Sequence, residues 1–349
     1  MPDKKSCFHS GYTALVCSLW LFCCRPAAGA DARADFLKLI DRPRVELAAR
    51  VEATTVTNGL AQSHFSYASE AQHRVPGLVV KREGLAGRQA TVIFLHGTGG
   101  RKEDELPRLR RLAERGFVAV AIDGRYFGER NPGGTGTATY EAAIVRAAHG
   151  NGEHPLYYDT VWDILRLVDY LQTRPDVDSA RIGIAGISKG GIETYFAAAV
   201  EPRFAAAVPF IGVQDFHWAL EHNEWRGRVA TIPHAFADLC REAGVTNADS
   251  AFVQTFYDRI VPGIYGEFDG PALLPLIAPR PLMVVNGDSD DHTPLPGVEN
   301  CARAARSAYQ AAGVPEKFSL IIQANSGHRI NRSSEDAMLD WFAKWLAPK

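Results

Sequence analysis

Gly186-Ile187-Ser188-Lys189-Gly190-Gly191 stands between an apolar run, Ile182–Ala185, and a stretch of helical character, Ile192–Ala199. A buried strand, a tight turn of the form Gly-x-Ser-x-Gly and a helix, in that order, predict a nucleophile elbow. In such a turn the serine hydroxyl projects clear of the sheet, and the glycines let strand and helix approach without Cβ clashes. The pattern makes Ser188 the candidate nucleophile, with an ordinary strand-to-helix turn as the alternative.

Apolar runs and helical patterns alternate from about residue 78 to the C-terminus. This alternation predicts an α/β fold with a mostly parallel central sheet flanked by helices on both faces. The predicted strands are Gly77–Val80, Thr91–Leu95, Phe117–Ile122, Ile182–Ile187, Ala205–Ile211, Leu282–Asn286 and Phe318–Ile322. A further strand at Gln62–Ser69 would add an antiparallel edge at the start of the sheet.

Composition excludes some partners. The chain has 349 residues, 46% of them hydrophobic, which is enough to bury a large core. Its formal charge of −2 gives no field that favours nucleic acid or an anionic membrane, so neither is expected as a partner. Outside the first thirty residues there are two cysteines, Cys240 and Cys301, which we expect to be two separate buried thiols.

The N-terminus has the pattern of a secretory signal peptide. Lys4 and Lys5 precede an uncharged apolar stretch, Tyr12–Cys24, and Pro26–Ala30 supplies small residues for cleavage after Ala30. We therefore expect residues 1–30 to be removed, which leaves residues 31–349 as a secreted or periplasmic hydrolase domain without a stable membrane span. An N-terminal membrane anchor, or a lipid anchor on the cysteine at position 24, is the alternative.

Almost seventy residues separate the strand that ends near Val213 from the one that begins at Leu282. That is more than a connecting helix needs. We expect a helical cap at about 214–275 over the C-terminal edge of the sheet, where open α/β sheets bind ligands; a peripheral helical bundle is the alternative. Trp218 and Trp225 are seven residues apart, so on one helix they would share a face. That face would be a substrate-binding wall or, alternatively, core.

A serine nucleophile needs a base and an acid that orients the base. The predicted strand ending at Asn286 runs into Gly287-Asp288-Ser289-Asp290-Asp291. Asp290 is our candidate acid, because a glycine followed by two residues directs the third back toward the sheet. Asp288 and Asp291 are expected to be solvated or to cap the turn. A cation-binding loop is the rival interpretation, but the distal Glu of an EF-hand is missing, and no metal is expected.

His328 is the candidate base. It lies in Ser326-Gly327-His328, a small polar loop between the last predicted strand and the last helix. Packing gives no reason for a histidine at this position. His292, in the acid turn, and His217 and His222, in the predicted cap, are rivals, each with a surface histidine as the ordinary explanation.

His96-Gly97-Thr98-Gly99-Gly100 follows the strand that ends at Leu95. A glycine-rich loop at this position supplies main-chain amides that face the nucleophile. We expect the amides of Thr98 and Lys189 to form the oxyanion hole, with the Lys189 side chain in solvent. A phosphate-binding loop is the alternative, but the Lys-Ser/Thr pair of a P-loop is absent.

Together these motifs resemble the α/β-hydrolase superfamily over essentially the whole mature chain. Asp123–Arg130 and Trp162–Asp178 are similar to its dienelactone hydrolase and acetyl xylan esterase-like branch. The resemblance implies hydrolysis of carbohydrate esters and other small carboxylic esters without a cofactor. Lys189 stands where acetyl xylan esterases of the deacetylase type commonly carry Gln, and Ser188 stands where dienelactone hydrolase proper has Cys.

The sequence thus predicts a secreted serine carboxylesterase with Ser188, Asp290 and His328 as a catalytic triad, acting on a small-molecule or carbohydrate ester. The runner-up is a serine peptidase of the prolyl oligopeptidase type, although the chain lacks room for an N-terminal propeller. A non-catalytic binding protein that keeps the fold is the rival from another class. The oligomeric state is left open.

Overall fold

Ten strands form one mixed sheet in the computed structural model, which describes residues 28–133 and 136–348. The predicted signal peptide falls almost entirely outside these residues. The strands are β1 Arg50–Val51, β2 Thr55–Thr57, β3 Leu60–Glu70, β4 His73–Arg82, β5 Gln89–Leu95, β6 Val118–Ile122, β7 Val177–Ile187, β8 Phe204–Phe210, β9 Leu282–Gly287 and β10 Phe318–Gln323. Each strand predicted from the sequence is present, with shifted ends.

The strand order is β1-β3-β4-β6-β5-β7-β8-β9-β10, with β2 also paired to β3. Pairing is parallel from β6 to β10 and antiparallel on the other side, among β1, β2, β3, β4 and β6. The predicted antiparallel strand at Gln62–Ser69 is confirmed as part of β3. It is not the edge, because the short strands β1 and β2, which the sequence did not reveal, cover it.

Helices cover both faces of the sheet. They are α1 Ala28–Ile40, α2 Leu106–Glu114, α3 Ala138–Ala148, α4 Tyr158–Thr173, α5 Lys189–Val200, α6 Phe216–Glu221, α7 Arg226–Val229, α8 Pro233–Glu242, α9 Ser250–Ile260, α10 Gly270–Leu273, α11 Leu295–Ala311 and α12 Arg332–Trp345. Short 3-10 helices occur at Lys102–Glu105, Gly128–Arg130, Leu274–Ile277 and Pro315–Lys317. Across the described residues, no helix combines the length and the apolar character that crossing a membrane requires.

Two hydrophobic cores lie on opposite sides of the sheet, because successive residues of a strand point to opposite faces. In β5, Phe94 packs into the core under α2 and α12, whereas Ile93 packs into the core under α4 and α5. The central strands are buried on both faces, which explains why they appear in the sequence as continuous apolar runs.

The long segment between β8 and β9 is helical, as predicted, and comprises α6 to α10. Helices α8 and α9 pack on α3, and α6 packs on α9 and α11. Helix α7 rests on the turn after β9: a Cβ at Gly227 would lie 2.1 Å from the carbonyl oxygen of Asp291. The insertion therefore contacts the carboxyl edge of the sheet through α7.

Candidate active site

Ser188 is the turn residue between β7 and α5. Its backbone has φ 55° and ψ −114°, a conformation that is strained for a residue with a side chain. The neighbouring glycines make the turn sterically feasible, since a Cβ at Gly186 would lie 2.4 Å from the carbonyl oxygen of Gly190. At Gly190 a Cβ would lie 2.5 Å from the carbonyl oxygen of Leu95. The elbow predicted from Gly-x-Ser-x-Gly is thus the observed local structure.

Three side chains from separate loops meet here. Nε2 of His328 lies 2.7 Å from Oγ of Ser188, and Nδ1 of His328 lies 2.8 Å from a carboxylate oxygen of Asp290. Because an ionised carboxylate can only accept, Nδ1 of His328 carries the proton and Nε2 is free to accept from the serine hydroxyl. This tautomer is assigned from the hydrogen-bond network.

Asp288 and Asp290, which lie in the same turn, have different surroundings. Asp290 is buried, and its carboxylate also accepts from the backbone N–H of His292 at 2.9 Å. Asp288 is exposed and accepts from the backbone amides of Asn325 and Ser326 at 2.8 and 2.9 Å. It therefore joins the acid turn to the loop that carries His328.

The pKa shifts at the site favour a neutral His328 beside an ionised Asp290. Burial lowers the pKa of His328, and the nearby charge of Arg228 adds to this decrease, while Asp290 acts in the opposite direction. Burial alone would raise the pKa of Asp290, but its hydrogen bonds, first of all that from His328, hold this pKa below the ordinary value. An ionised Asp290 and a neutral His328 therefore coexist at neutral pH.

His96 fixes the glycine-rich loop after β5. Its Nδ1 donates to the carbonyl oxygen of Gly97 at 2.7 Å, and its Nε2 accepts from the N–H of Gly124 at 3.0 Å. Burial and the charge of Lys189 lower the pKa of His96 to about 4, so the ring stays neutral. The imidazole thereby ties the loop after β5 to the loop after β6.

Thr98 lines the same cavity as Ser188. A Cβ at Gly97 would lie 3.5 Å from Cβ of Ser188, so the glycine-rich loop packs directly on the elbow. The N–H of Lys189 belongs to the first residue of α5, where no intrahelical acceptor exists and the helix dipole favours negative charge. The two loops that carry the predicted oxyanion donors are therefore adjacent.

The prediction that the Lys189 side chain is solvated is wrong. It is 1% exposed and forms an ion pair with Glu193, one helical turn further along α5. Its Nζ lies 5.3 Å from the ring centroid of Phe127 and 5.7 Å from that of Tyr140. Helix α5 is buried along its whole length, so even its lysine is turned inward.

A cavity of about 440 Å³ opens at Ser188. Its lining residues come from the glycine-rich loop, the elbow, the loop after β8, the α7–α8 connection and the acid and histidine loops: Gly97, Thr98, Gly100, Ile187, Ser188, Ile211, Ala230, Thr231, His292 and His328. A larger cavity of about 720 Å³ lies at the opposite, amino edge of the strands, around Arg181, Phe204 and Pro281. It is remote from the serine, so volume alone does not mark the site.

The two tryptophans predicted to bind substrate do not share a helix. Trp218 lies in α6, whereas Trp225 immediately precedes α7, because Asn223 with φ 59° breaks the helix between them. Trp225 is buried against Phe236 and donates its Nε1–H to Ser250 at 3.2 Å. Trp218 is half-buried and stacks on His222. Neither is among the residues that line the Ser188 cavity, so the shared aromatic wall is not formed.

Sequence reasoning missed several residues of the cavity. The ring of His292 stacks on that of His328, with centroids 4.3 Å apart, although we expected a surface histidine. Ala230 and Thr231 reach the cavity from the insertion, and their small, ordinary side chains gave no signal. The position of His292 two residues after Asp290 was the one available clue.

Two clusters could in principle hold a metal ion among the described residues. Asp290, His292 and His328 form the first, but both ring nitrogens of His328 are already in hydrogen bonds with Ser188 and Asp290. In the second, His64, Glu103 and Glu129, both glutamates already pair with Nζ of Lys102.

Cys240 and Cys301 are free thiols. Cys301 is buried as predicted, whereas Cys240 is only half-buried.

A family model described as acetyl xylan esterase (AXE1) matches residues 41–225. The chain belongs to the acetyl xylan esterase family. A second model, fungal glucuronyl esterase, matches residues 150–313. Members of these families are carbohydrate esterases, and this esterase is accordingly a carboxylic ester hydrolase.

Two curated relatives and one solved structure are similar to this chain. YtaP of Bacillus subtilis, whose name describes a hydrolase, is 26% identical over 286 residues, which cover 78% of this chain and 84% of YtaP. A 4-O-methyl-glucuronoyl methylesterase of Wolfiporia cocos is 26% identical over 193 residues, covering 53% of this chain and 45% of that enzyme. The structure of acetyl xylan esterase 1 from Thermoanaerobacterium sp. superposes on this chain with a TM-score of 0.66 and 18% sequence identity. The superposition covers 92% of this chain and 95% of that enzyme, so the two share the fold.

Proposed function

We propose that this protein is a serine esterase that removes acyl or alkyl ester groups from carbohydrates through a Ser188–His328–Asp290 triad. The observation that carries the proposal is the hydrogen-bonded chain from Oγ of Ser188 through the imidazole of His328 to the buried carboxylate of Asp290. The membership in a carbohydrate esterase family supports the substrate class.

In the acylation step, His328 takes the proton of the Ser188 hydroxyl as Oγ attacks the ester carbonyl carbon. The carbonyl oxygen becomes an oxyanion, which accepts from the main-chain amides of Thr98 and Lys189. When the intermediate collapses, the C–O bond to the alcohol breaks and the imidazolium of His328 donates its proton to the leaving oxygen. Asp290 stabilises that imidazolium and holds the ring in the reactive tautomer.

In the deacylation step, water replaces the alcohol. His328 accepts a proton from the water as its oxygen attacks the acyl carbon, and the same proton then goes to Oγ of Ser188 as the acyl–serine bond breaks. The products are a carboxylic acid and the free serine, so the cycle needs no cofactor. Gly97 and Ile211 line the cavity around the reacting carbon.

The test is Ser188→Ala, for which we expect a fall of roughly 10⁴-fold in the rate of aryl acetate hydrolysis and the loss of fluorophosphonate labelling. Ser179→Ala, at the opposite end of the same strand, is the matched control and should keep both. The substrate panel should include acetylated xylo-oligosaccharides, methyl glucuronate esters and peptide amides. Labelling that persists in Ser188→Ala would refute the assignment, and a preference for peptide amides would favour the peptidase alternative.

We further propose that the chain is exported and acts outside the cytoplasm. The basic and apolar N-terminal sequence supports this proposal, as does the carbohydrate substrate class.

A further inference from the structure

The loops at the carboxyl edge of the sheet enclose more than the Ser188 cavity. A second cavity of about 420 Å³ lies where the loop after β6 meets the start of β4, lined among others by Gln72, His73, Arg74, Tyr126 and Glu129. Since β4 runs antiparallel to β6, its first residues lie at the same edge as the elbow. The catalytic steps proposed above use none of these residues.

A third, smaller cavity is lined by the loops that lie between the other two. It is lined by Gly99, Gly100, Phe127 and Gly128, together with neighbouring residues of both loops. Gly100 also lines the Ser188 cavity. Phe127 directly follows Tyr126 and Gly128 directly precedes Glu129, and both Tyr126 and Glu129 line the second cavity. The three cavities therefore follow one another along the strand order β4-β6-β5-β7. We call this row of three cavities the groove; three strand spacings of about 4.8 Å give it a length on the order of 14 Å.

Tyr126 occupies a turn position that does not suit it. The N–H of Phe127 donates to the carbonyl oxygen of Gly124 at 3.2 Å, so Tyr126 is the third residue of a four-residue turn, and its φ is 67°. Glycine or asparagine is the ordinary choice there, and a bulky side chain costs free energy. A tyrosine at this position therefore indicates that its ring has a role that offsets the backbone strain.

Surrounding groups hold the Tyr126 ring in place. Its hydroxyl lies 3.2 Å from a carboxylate oxygen of Glu153, and the guanidinium carbon of Arg146 lies 5.9 Å from the ring centroid. The side chain is half-buried and lines the cavity. Similar strain marks Ser188, with φ 55°, and Ile211, with φ 41°, which both line the first cavity. Strained backbone thus recurs in the loops after β6, β7 and β8.

The chemistry of the second cavity fits a neutral sugar. Asp163 pairs with Arg125 at 3.1 Å and with Arg130 at 2.7 Å, and Arg125 also pairs with Glu70, so two carboxylates balance the two guanidinium charges. Glu129 pairs with Lys102. Burial lowers the pKa of His73, which keeps its ring neutral, with one donor and one acceptor. The guanidinium of Arg74 donates to the carbonyl and hydroxyl oxygens of Ser66. An aromatic face beside such donors and acceptors suits a polyhydroxylated ring.

Resting on the proposed carbohydrate esterase activity, we propose that this groove is an extended substrate site in which Tyr126 binds a sugar unit remote from the scissile ester. The substrate is then an esterified oligosaccharide or polysaccharide, because Tyr126 follows β6, two strand spacings or about 10 Å from the elbow after β7, which a monosaccharide ester at Ser188 does not span. Preorganisation of the Tyr126 ring lowers the entropy cost of binding that unit.

The experiment compares kcat/KM for an aryl acetate and for acetylated xylo-oligosaccharides of increasing length. In the unmodified enzyme, kcat/KM should rise with length until the groove is filled. Tyr126→Asn suits the turn, so it should fold with an unchanged or raised Tm. We expect it to lower kcat/KM for the long oligosaccharides by roughly 5- to 10-fold, mainly through KM, and to leave the aryl acetate unaffected.

Two further variants sharpen the test. Gln72→Trp, at an exposed turn, should block the cavity and give the same selective loss. Phe252→Asn is the matched control, because it removes a half-buried ring from a separate cavity of about 480 Å³ in the insertion. It should leave kcat/KM unchanged for both the aryl acetate and the oligosaccharides.

Equal kcat/KM for all chain lengths, with no selective loss in Tyr126→Asn or Gln72→Trp, would overturn the extended site and leave the esterase activity intact. An effect confined to oligosaccharides that carry a uronic acid would overturn the neutral-sugar assignment. If the unmodified enzyme cleaves aryl acetate but no sugar ester, the proposed carbohydrate substrate class itself fails.

Discussion

Asp288 and Asp290 lie two residues apart in one turn but have different partners. The carboxylate of Asp290 is buried against His328, whereas that of Asp288 is exposed and binds two backbone amides of the histidine loop. The spacing from Gly287 was sufficient to select Asp290 as the candidate acid. It did not reveal that Asp288 fastens the histidine loop to the acid turn.

Replacing Asp290 by Asn should reduce kcat/KM for an aryl acetate by roughly 10⁴-fold, because an amide in this position favours the wrong tautomer of His328. Asp288→Asn should cost far less, since its amide oxygen keeps one of the two hydrogen bonds from the N–H groups of Asn325 and Ser326 and its side chain does not touch His328. Steady-state kinetics at several pH values measures both. A crippling effect of Asp288→Asn with a mild effect of Asp290→Asn would show that the acid is assigned to the wrong residue.

The pH profile should follow the ionisation of His328. Its neutral form is the active one, and burial lowers its pKa, so the neutral form persists to more acidic pH than for a free histidine. We therefore expect kcat/KM to rise through a single ionisation below about 6.5 and to stay high above it. Chelators should leave the profile unchanged. An ionisation clearly above this value, or activity that EDTA removes and a divalent cation restores, would contradict a metal-free histidine base.

At the scale of one element, α5 shows how burial changes the role of a residue. Its first residue, Lys189, is paired with Glu193 inside the protein, next to the rings of Phe127 and Tyr140. Burial raises the pKa of Glu193 and the charge of Lys189 opposes this rise. The ion pair fixes the start of the helix directly behind the elbow, and each buried charge is stabilised by the other.

Lys189→Met should destabilise the fold by about 3–5 kcal/mol, because Glu193 is left as an unpaired buried charge. The double variant Lys189→Met/Glu193→Leu should recover most of this loss, since an apolar pair of similar volume can replace a buried ion pair. Urea unfolding followed by circular dichroism measures both free energies of unfolding. If the double variant is no more stable than the single one, the ion pair does not explain the cost.

For the molecule as a whole, the N-terminal helix α1 belongs to the folded domain. Phe36 and Ile40 are fully buried, and the guanidinium of Arg33 donates to the carbonyl oxygens of Ala199 and Leu276 at 2.9 and 2.8 Å. Cleavage after Ala30 would leave all three residues in place. The proposed signal peptide and the fold are therefore compatible at this boundary.

We expect export to yield a mature chain that begins close to Asp31 and is fully active. A shorter form that begins at Asp41 should lose several kcal/mol of stability, because two large apolar side chains leave the core. N-terminal sequencing of secreted protein checks the cleavage site, and thermal unfolding compares the two forms. Retention of residues 1–30 in the exported protein would favour the anchor alternative, and equal melting temperatures would show that α1 is dispensable.

The sequence predicted the features that depend on local pattern. Strands of the sheet appear as apolar runs, and Ser188, Asp290 and His328 each stand in a short loop after such a run, so the order of the motifs was sufficient to select them as the candidate triad. The same reasoning failed where the pattern was weak. The two-residue strand Arg50–Val51 is exposed and has no apolar signature, and two tryptophans seven residues apart cannot share a helix that Asn223 interrupts.

Only the tertiary structure decided which surfaces meet. Strand order is set by contacts between segments far apart in sequence, so the placement of β4 beside β6, and with it the cavity at Tyr126, has no local signal. Burial is likewise a property of the assembled layers, which is why Lys189 is enclosed although lysine is ordinarily exposed. The sequence by itself determined the set of chemical groups, because each lies within one short motif. The fold determined their environment, because solvent exposure and electrostatic partners come from the whole chain.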